Sequence, residues 1–307
     1  MTESVLTVNN LTKHYKKTAV LDNVCLDIPR GAIYGLVGSN GAGKSTMMRI
    51  IAGQTSLDSG EIILFGTNPQ GFNCTVRHRM GALIETPGFF QTLTAEENLE
   101  YYRLQFGVPG KERVAELLEL VDLAQAKGKK FKNFSMGMKQ RLGLALALLH
   151  SPEFLILDEP INGLDPEGIH QMRQLFLDIN RKLNMTLLIS SHILAELENV
   201  ATVYGFLSHG KLVQQITAEE LKKKCSTYID LVVRDNTQMC IILEKDLGIT
   251  DYQVHPDGHI HLFHAEGCEE EIVRTAVTKG IALKSISSHA VNLEDYYMNL
   301  MGGNEHA

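Results

Sequence analysis

Short continuous apolar runs, separated by amphipathic stretches, organise the first 225 residues. Residues 32–37 are apolar and end in a glycine-rich turn, after which a helix is expected from about Lys44. Residues 154–157 form a second run between Pro152 and Pro160. Residues 185–189 form a third, preceded by a helical segment over 171–183. A strand covered on both faces has no polar side to alternate, so such runs between helices predict a mainly parallel sheet with helices on both faces. Beyond about Cys225 the pattern changes. Residues 227–233 alternate as a strand, 237–247 are expected to be helical, and strands 252–254 and 259–263 flank the turn signal Pro256-Asp257-Gly258. A helix over 269–278, a strand over 281–286 and a last helix over 293–301 complete a β-α-β-β-α-β order. That order predicts a small α+β appendage resembling a ferredoxin-like unit. The expected domains are 5–225 and 226–307.

Composition adds exclusions. The 307 residues carry 29 Lys and Arg against 36 Asp and Glu, a formal charge of −7. No global basic surface is therefore expected for neutralising nucleic-acid phosphates. The longest basic cluster, Lys222-Lys223-Lys224, suits a solvated helix face. Five scattered cysteines (Cys25, Cys74, Cys225, Cys240 and Cys268) form no Cys-x-x-Cys pair, which suits a reducing cytosol better than a disulfide framework. The start, Met1-Thr-Glu-Ser, lacks the basic and apolar regions of a secretory signal. A membrane-spanning helix needs ~20 consecutive apolar residues. The best run, 142–149, stops at His150 and Pro152, so no membrane crossing is expected.

The chemistry starts at Gly38-Ser39-Asn40-Gly41-Ala42-Gly43-Lys44-Ser45-Thr46. This stretch fits the phosphate-loop pattern G-x-x-x-x-G-K-[ST] between a predicted strand and a predicted helix. Glycines let backbone N–H groups wrap phosphate oxygens, and the helix N-terminus adds partial positive charge. Lys44 is expected on the β- and γ-phosphates and Ser45 on Mg2+. The run Phe154-Leu-Ile-Leu-Asp158-Glu159-Pro160 places two carboxylates at the end of a buried strand, where ligands of open α/β sheets sit. Asp158 is expected to hold Mg2+ through water, and Glu159 to act as general base on the attacking water. A strand ending in Asp-Glu is common by itself; paired with a phosphate loop it describes a hydrolytic site.

Three further stretches narrow the class. Ser135-Met136-Gly137-Met138-Lys139-Gln140 precedes Asp158, Asn162-Gly163-Leu164-Asp165 follows Glu159, and Ser190-Ser191-His192 ends the next strand. In this order the five motifs resemble the ATP-binding subunit of an ABC transporter, over residues 5–225. The resemblance implies that ATP is hydrolysed with Mg2+ and that two such units face head-to-tail. Ser135, the Gly137 N–H and the rest of the signature up to Gln140 would then close on ATP held by the partner's phosphate loop. It also implies that His192 senses the γ-phosphate beside Glu159, that Asp165 links the two sites and that Tyr15 stacks on adenine. Taken alone, His192 fits a satisfied strand-end histidine and Tyr15 a surface residue in a hairpin. A separate membrane permease is the implied partner, with the chain peripheral on the inner face of the cell membrane.

Where that family usually has Gln, this chain has Glu85, in Gly81-Ala-Leu-Ile-Glu85-Thr-Pro87. A carboxylate there would add negative charge beside the metal and change turnover or coupling; the alternative is an ordinary surface acid. Ile-Glu85-Thr-Pro together with Ser-Met-Gly-Met-Lys-Gln-Arg resembles the bacitracin- and lantibiotic-type subfamily. That implies export of antimicrobial peptides or drugs bound by the permease, giving immunity or resistance. His255, His259, His261 and His264 fall close together, yet lack a cysteine, and Asp257 belongs to the turn. They are expected to be exposed edge histidines rather than a metal site. Two other classes fit these residues less well. An ATPase of this type acting on nucleic acid or ribosomes would carry two units or long coiled coils, and a small-molecule kinase leaves residues 135–140 and His192 without a role.

Overall fold

The computed structural model describes residues 3–300 other than 70, 86, 226, 264, 266, 291–295 and 299. The chain divides after Ala218 into two compact units.

The first unit opens with β1 (Ser4–Tyr15) and β2 (Thr18–Pro29), an antiparallel hairpin whose register shifts several times. β3 (Ile33–Val37) is buried throughout and leads into α1 (Lys44–Ile51), and β4 (Ser59–Leu64) returns to pair with β1. Then come β5 (Met80–Leu83), α2 (Ala95–Gln105), α3 (Glu112–Leu120), α4 (Met136–Ala147) and β6 (Phe154–Leu157). α5 (Pro166–Leu183), β7 (Thr186–Ser191), β8 (Val203–Ser208) and β9 (Lys211–Thr217) complete it.

The larger sheet runs β5-β6-β7-β3-β8-β9, with every pair parallel except the edge pair β8-β9. Its inner strands β3, β6 and β7 are the three apolar runs, and all of their residues are buried. The mainly parallel sheet is therefore present. A second, antiparallel sheet, β2-β1-β4, stands beside it and was not foreseen from the pattern of runs. One buried cluster joins Leu6 and Val8 of β1, Met47 and Ile51 of α1, Ile156 of β6 and Leu188 of β7. Each such side chain contributes about 1.5–3 kcal/mol on burial, so α1 and the loop before it are anchored by both sheets. α5 begins at Pro166 rather than Gln171. The Asp165 side chain accepts from Gly168 N at 3.0 Å, and proline occupies the first turn, where its missing N–H costs nothing.

The division falls at the start of α6 (Ala218–Lys224), whose Lys222, Lys223 and Lys224 are exposed, as a solvated face requires. β10 (Thr227–Val233), α7 (Asn236–Lys245), β11 (Tyr252–Val254), β12 (His259–Phe263), α8 (Glu269–Thr278) and β13 (Leu283–Ala290) follow. The sheet order β11-β12-β10-β13, antiparallel throughout, gives the ferredoxin-like arrangement. Ile229, Leu231, Ile260 and Leu262 pack under Met239 and Leu243 of α7 and Ile272 of α8. The last helix expected over 293–301 lies largely outside the described residues.

Candidate nucleotide site

The loop between β3 and α1 leaves the carboxyl edge of the parallel sheet. Gly43 has φ of 109°, and a Cβ there would meet the Val20 carbonyl oxygen at 2.8 Å; at Gly38 a Cβ would meet the Leu207 carbonyl oxygen at 2.4 Å. Glycine at these two positions lets the loop pass between β2 and β8. Ser39, Asn40 and Gly41 are exposed, Ala42 is buried, and Ser45 and Thr46 are half-buried in the first turn of α1. Lys44 is 4% exposed. Its Nζ donates to the Gly38 carbonyl at 2.7 Å and the Ser39 carbonyl at 3.2 Å, and lies 3.4 Å from Glu159 Oε1.

β6 delivers Asp158 and Glu159 to the same edge. Glu159 has φ of 46°, in the left-handed region, a conformation costing a residue with a side chain about 1–3 kcal/mol. The surroundings hold it there. Glu159 N donates to Ser190 Oγ at 2.8 Å, and the Ser190 hydroxyl donates to Asp158 Oδ1 at 2.6 Å. Asn162 Nδ2 donates to Glu159 Oε2 at 3.1 Å, and His192 Nδ1 stands 3.2 Å from the same oxygen without hydrogen-bond alignment. Arg173 of α5 donates to the carbonyls of Ala195 and Glu196, fixing the segment after His192. Sequence reasoning passes over Ser190 and the Asn162 side chain. The signal for Ser190 is a hydroxyl directly after the apolar run Leu187-Leu188-Ile189 of a fully buried strand.

The Ser45 hydroxyl and the Asp158 carboxylate are hard oxygen donors at the carboxyl ends of β3 and β6. That is the ligand type Mg2+ takes, so these residues fit the metal. Glu85 follows β5 and accepts from Arg49 Nη2 at 2.8 Å. Together with Met136, Gln140, Asp158 and Glu159 it lines a cleft of about 450 Å³. Gln140 Nε2 donates to the Asn162 carbonyl at 3.2 Å. Beyond Glu85, Asn98 is fully buried and bonds both the N–H and the carbonyl of Phe90, and the Tyr102 hydroxyl donates to the Gly88 carbonyl.

Ser135 caps α4, its Oγ accepting from Met138 N at 3.3 Å, and Gly137 lies in the first turn. Both line a second cleft of about 620 Å³ with Leu164 and Asp165, whose carboxylate caps α5. Tyr15 ends β1, 47% exposed, with Lys13 Nζ 5.7 Å from its ring centroid. Its hairpin reaches the phosphate loop through Val20 and Leu21. The histidines of the second unit correct an expectation: β12 is an inner strand, and His259 and His261 are not at an edge. His264 lies outside the described residues. No helix among the described residues is long and apolar enough to cross a membrane.

A buried parallel strand, a glycine-bearing turn and a helix that aims Lys44 at Glu159 define a phosphate-loop nucleotide hydrolase. Comparison with known proteins narrows this class. The ABC transporter family model matches residues 21–162. The bacitracin transport ATP-binding protein BcrA of Enterococcus faecalis is 41% identical over 301 residues, spanning 98% of this chain and 97% of the relative. The lantibiotic transport ATP-binding protein SrtF of Streptococcus pyogenes is 42% identical over 209 residues, 68% of this chain and 89% of the relative. A solved dimeric ATP-binding cassette, in a post-hydrolysis state with ADP and Pi, is 25% identical with a TM-score of 0.62, covering 69% of this chain and 98% of that one. The chain belongs to the ABC transporter ATP-binding proteins and is an ATPase.

Proposed function

We propose that this ATPase drives a separate membrane permease that exports peptide antibiotics, with Glu159 as general base and two copies closing on ATP. The observation that carries the chemistry is the set of partners converging on Glu159: Ser190, Asn162, His192 and Lys44. Arriving β- and γ-phosphates compete with the Gly38 and Ser39 carbonyls for Lys44, which frees Glu159 from that ammonium. Glu159 then takes the proton of the attacking water. The water oxygen bonds to the γ-phosphorus as the bond to the β-phosphate oxygen breaks, and ADP leaves with that electron pair. Ser45 and Asp158 would hold Mg2+, which when bound would neutralise charge at the phosphates. His192, close to Glu159 but unaligned, turns onto the γ-phosphate once it is present.

Ser135 and the Gly137 N–H, at the start of α4, supply donors to the γ-phosphate bound by the other copy. Tyr15 covers the purine, and Asp165 ties that cleft to α5. Glu85, matched by Arg49, sits between the Asp158 edge and the segment through Phe90 that would face the permease. The names of the bacitracin and lantibiotic relatives support peptide antibiotics as cargo, and their transport role supports a position on the inner face of the membrane. A net charge of −7 and relatives named for transport leave the nucleic-acid alternative without support. Purifying tagged Glu159→Gln from native membranes with ATP tests the proposal. A stoichiometric polytopic membrane protein is expected; ribosomes or nucleic acid in its place would overturn it.

A further inference from the structure

The outer face of the ferredoxin-like sheet gathers nitrogen and oxygen donors that the nucleotide chemistry does not use. Ile229, Leu231, Ile260 and Leu262 point under the helices, so Asp230, His259 and His261, alternating with them, share the opposite face. The β10–β12 register sets Asp230 opposite His261 and Val232 opposite His259. His259 Nδ1 consequently lies 2.8 and 2.9 Å from the two Asp230 oxygens, and His261 Nε2 lies 3.7 Å from Asp230 Oδ1. One ligand atom from each of the three falls within 4.8 Å of the others. His255 stands beside the group. Its ring centroid is 4.1 Å from that of His261, and its Nε2 is buried without a hydrogen-bond partner.

We propose that Asp230, His259 and His261 bind a divalent transition-metal ion of the Zn2+ class, with water in the fourth position. Bonds of about 2.0–2.1 Å at tetrahedral angles put ligand atoms roughly 3.3 Å apart. The His259–Asp230 and His261–Asp230 separations of 2.8 and 3.7 Å lie on either side of that distance, and all three ligand atoms fall within 4.8 Å of one another. Imidazole in the majority selects zinc, cobalt or nickel over magnesium or calcium. A simple Asp230–His259 ion pair would account for neither His261 nor His255. The surroundings also suit ligation. The Tyr228 ring stacks on His261 at 4.2 Å, and Asp257 accepts from the His259 backbone, so both donors are oriented in advance.

The test is titration of the full-length untagged chain with Co2+ in excess Mg2+, without nucleotide, followed by competition with Zn2+. One equivalent of Co2+ with the visible absorption of four-coordinate ligation, displaced by Zn2+, is expected. His261→Ala and Asp230→Asn should each weaken binding by at least the roughly 10–100-fold that losing even an outer-shell partner costs. Circular dichroism and thermal unfolding of the same preparations report folding of the second unit, and His261→Gln carries the test if the alanine variant does not fold. Absence of saturable binding, or parental affinity in the folded His261 variant, overturns the proposal. So does loss of Co2+ binding in Lys44→Ala, which would place the ion at the nucleotide site.

Discussion

Ser190→Ala removes one hydroxyl and little volume, from a residue that is fully buried. That oxygen accepts from Glu159 N at 2.8 Å and donates to Asp158 Oδ1 at 2.6 Å, so two groups lose a partner together. Each buried polar group left unsatisfied costs about 1–3 kcal/mol, although water recovers part of this at the half-exposed Asp158. The amide matters more. It belongs to the residue held at φ of 46°, and without the bond Glu159 relaxes toward an ordinary conformation. Its carboxylate then leaves the position shared with Asn162 and His192. With 1.36 kcal/mol worth tenfold in rate, losing about 1–3 kcal/mol of positioning lowers kcat by about 5- to 150-fold. Nucleotide affinity rests on Lys44 and the 38–43 loop and stays near the parental value. Phosphate release against ATP concentration, with fluorescent-nucleotide binding alongside, separates the two effects. Thermal unfolding should fall by about 2–4 °C per kcal/mol for a unit of this size. Parental kcat with parental Tm refutes the reasoning, and weakened ATP binding at full kcat reassigns Ser190 to the nucleotide.

Gly43→Ala forces a Cβ toward the Val20 carbonyl at φ of 109°, so ATP binding measured by calorimetry should be lost; parental affinity would contradict the loop geometry. Glu85→Gln removes the charge that Arg49 matches and should shift the Mg2+ dependence of ATPase activity, whereas an identical titration curve demotes Glu85 to a surface acid. Arg79 and Arg30 hold the Glu153 carboxyl at about 2, below its ordinary 4.5. The stability it contributes is present above that ordinary value and is lost as pH falls toward 2. Urea midpoints of the parent and Glu153→Gln should therefore differ near neutrality and converge in acid; curves parallel from pH 7 to 2 would contradict this.

Much of this was legible in the chain because some elements write themselves locally. β3, β6 and β7 are buried on both faces and appear as unbroken apolar runs bounded by Gly or Pro. The phosphate loop and the Asp158-Glu159 strand end are contiguous, so their spacing carries their chemistry. The β1–β2 hairpin is harder to read because its register shifts repeatedly, between Val8 and Leu11 among other places, which breaks strict alternation. The start of α5 hid in Asp165-Pro166, residues that read as loop yet form a cap and a first turn. Ser190 reaches Glu159 only after β6 and β7 pair. Asp230 meets His259 only through the β10–β12 register, so neither meeting has a signature within one segment.

The central claim is that Glu159 activates water for ATP held between two copies. Size exclusion with light scattering on Glu159→Gln, in ATP and in ADP, tests it most directly when paired with phosphate release from the same samples. The account predicts ATP affinity near the parental value, hydrolysis reduced by about 10²–10⁴-fold as for loss of a general base, and a dimer in ATP that separates in ADP. Hydrolysis at the parental rate, or a monomer saturated with ATP, would contradict it.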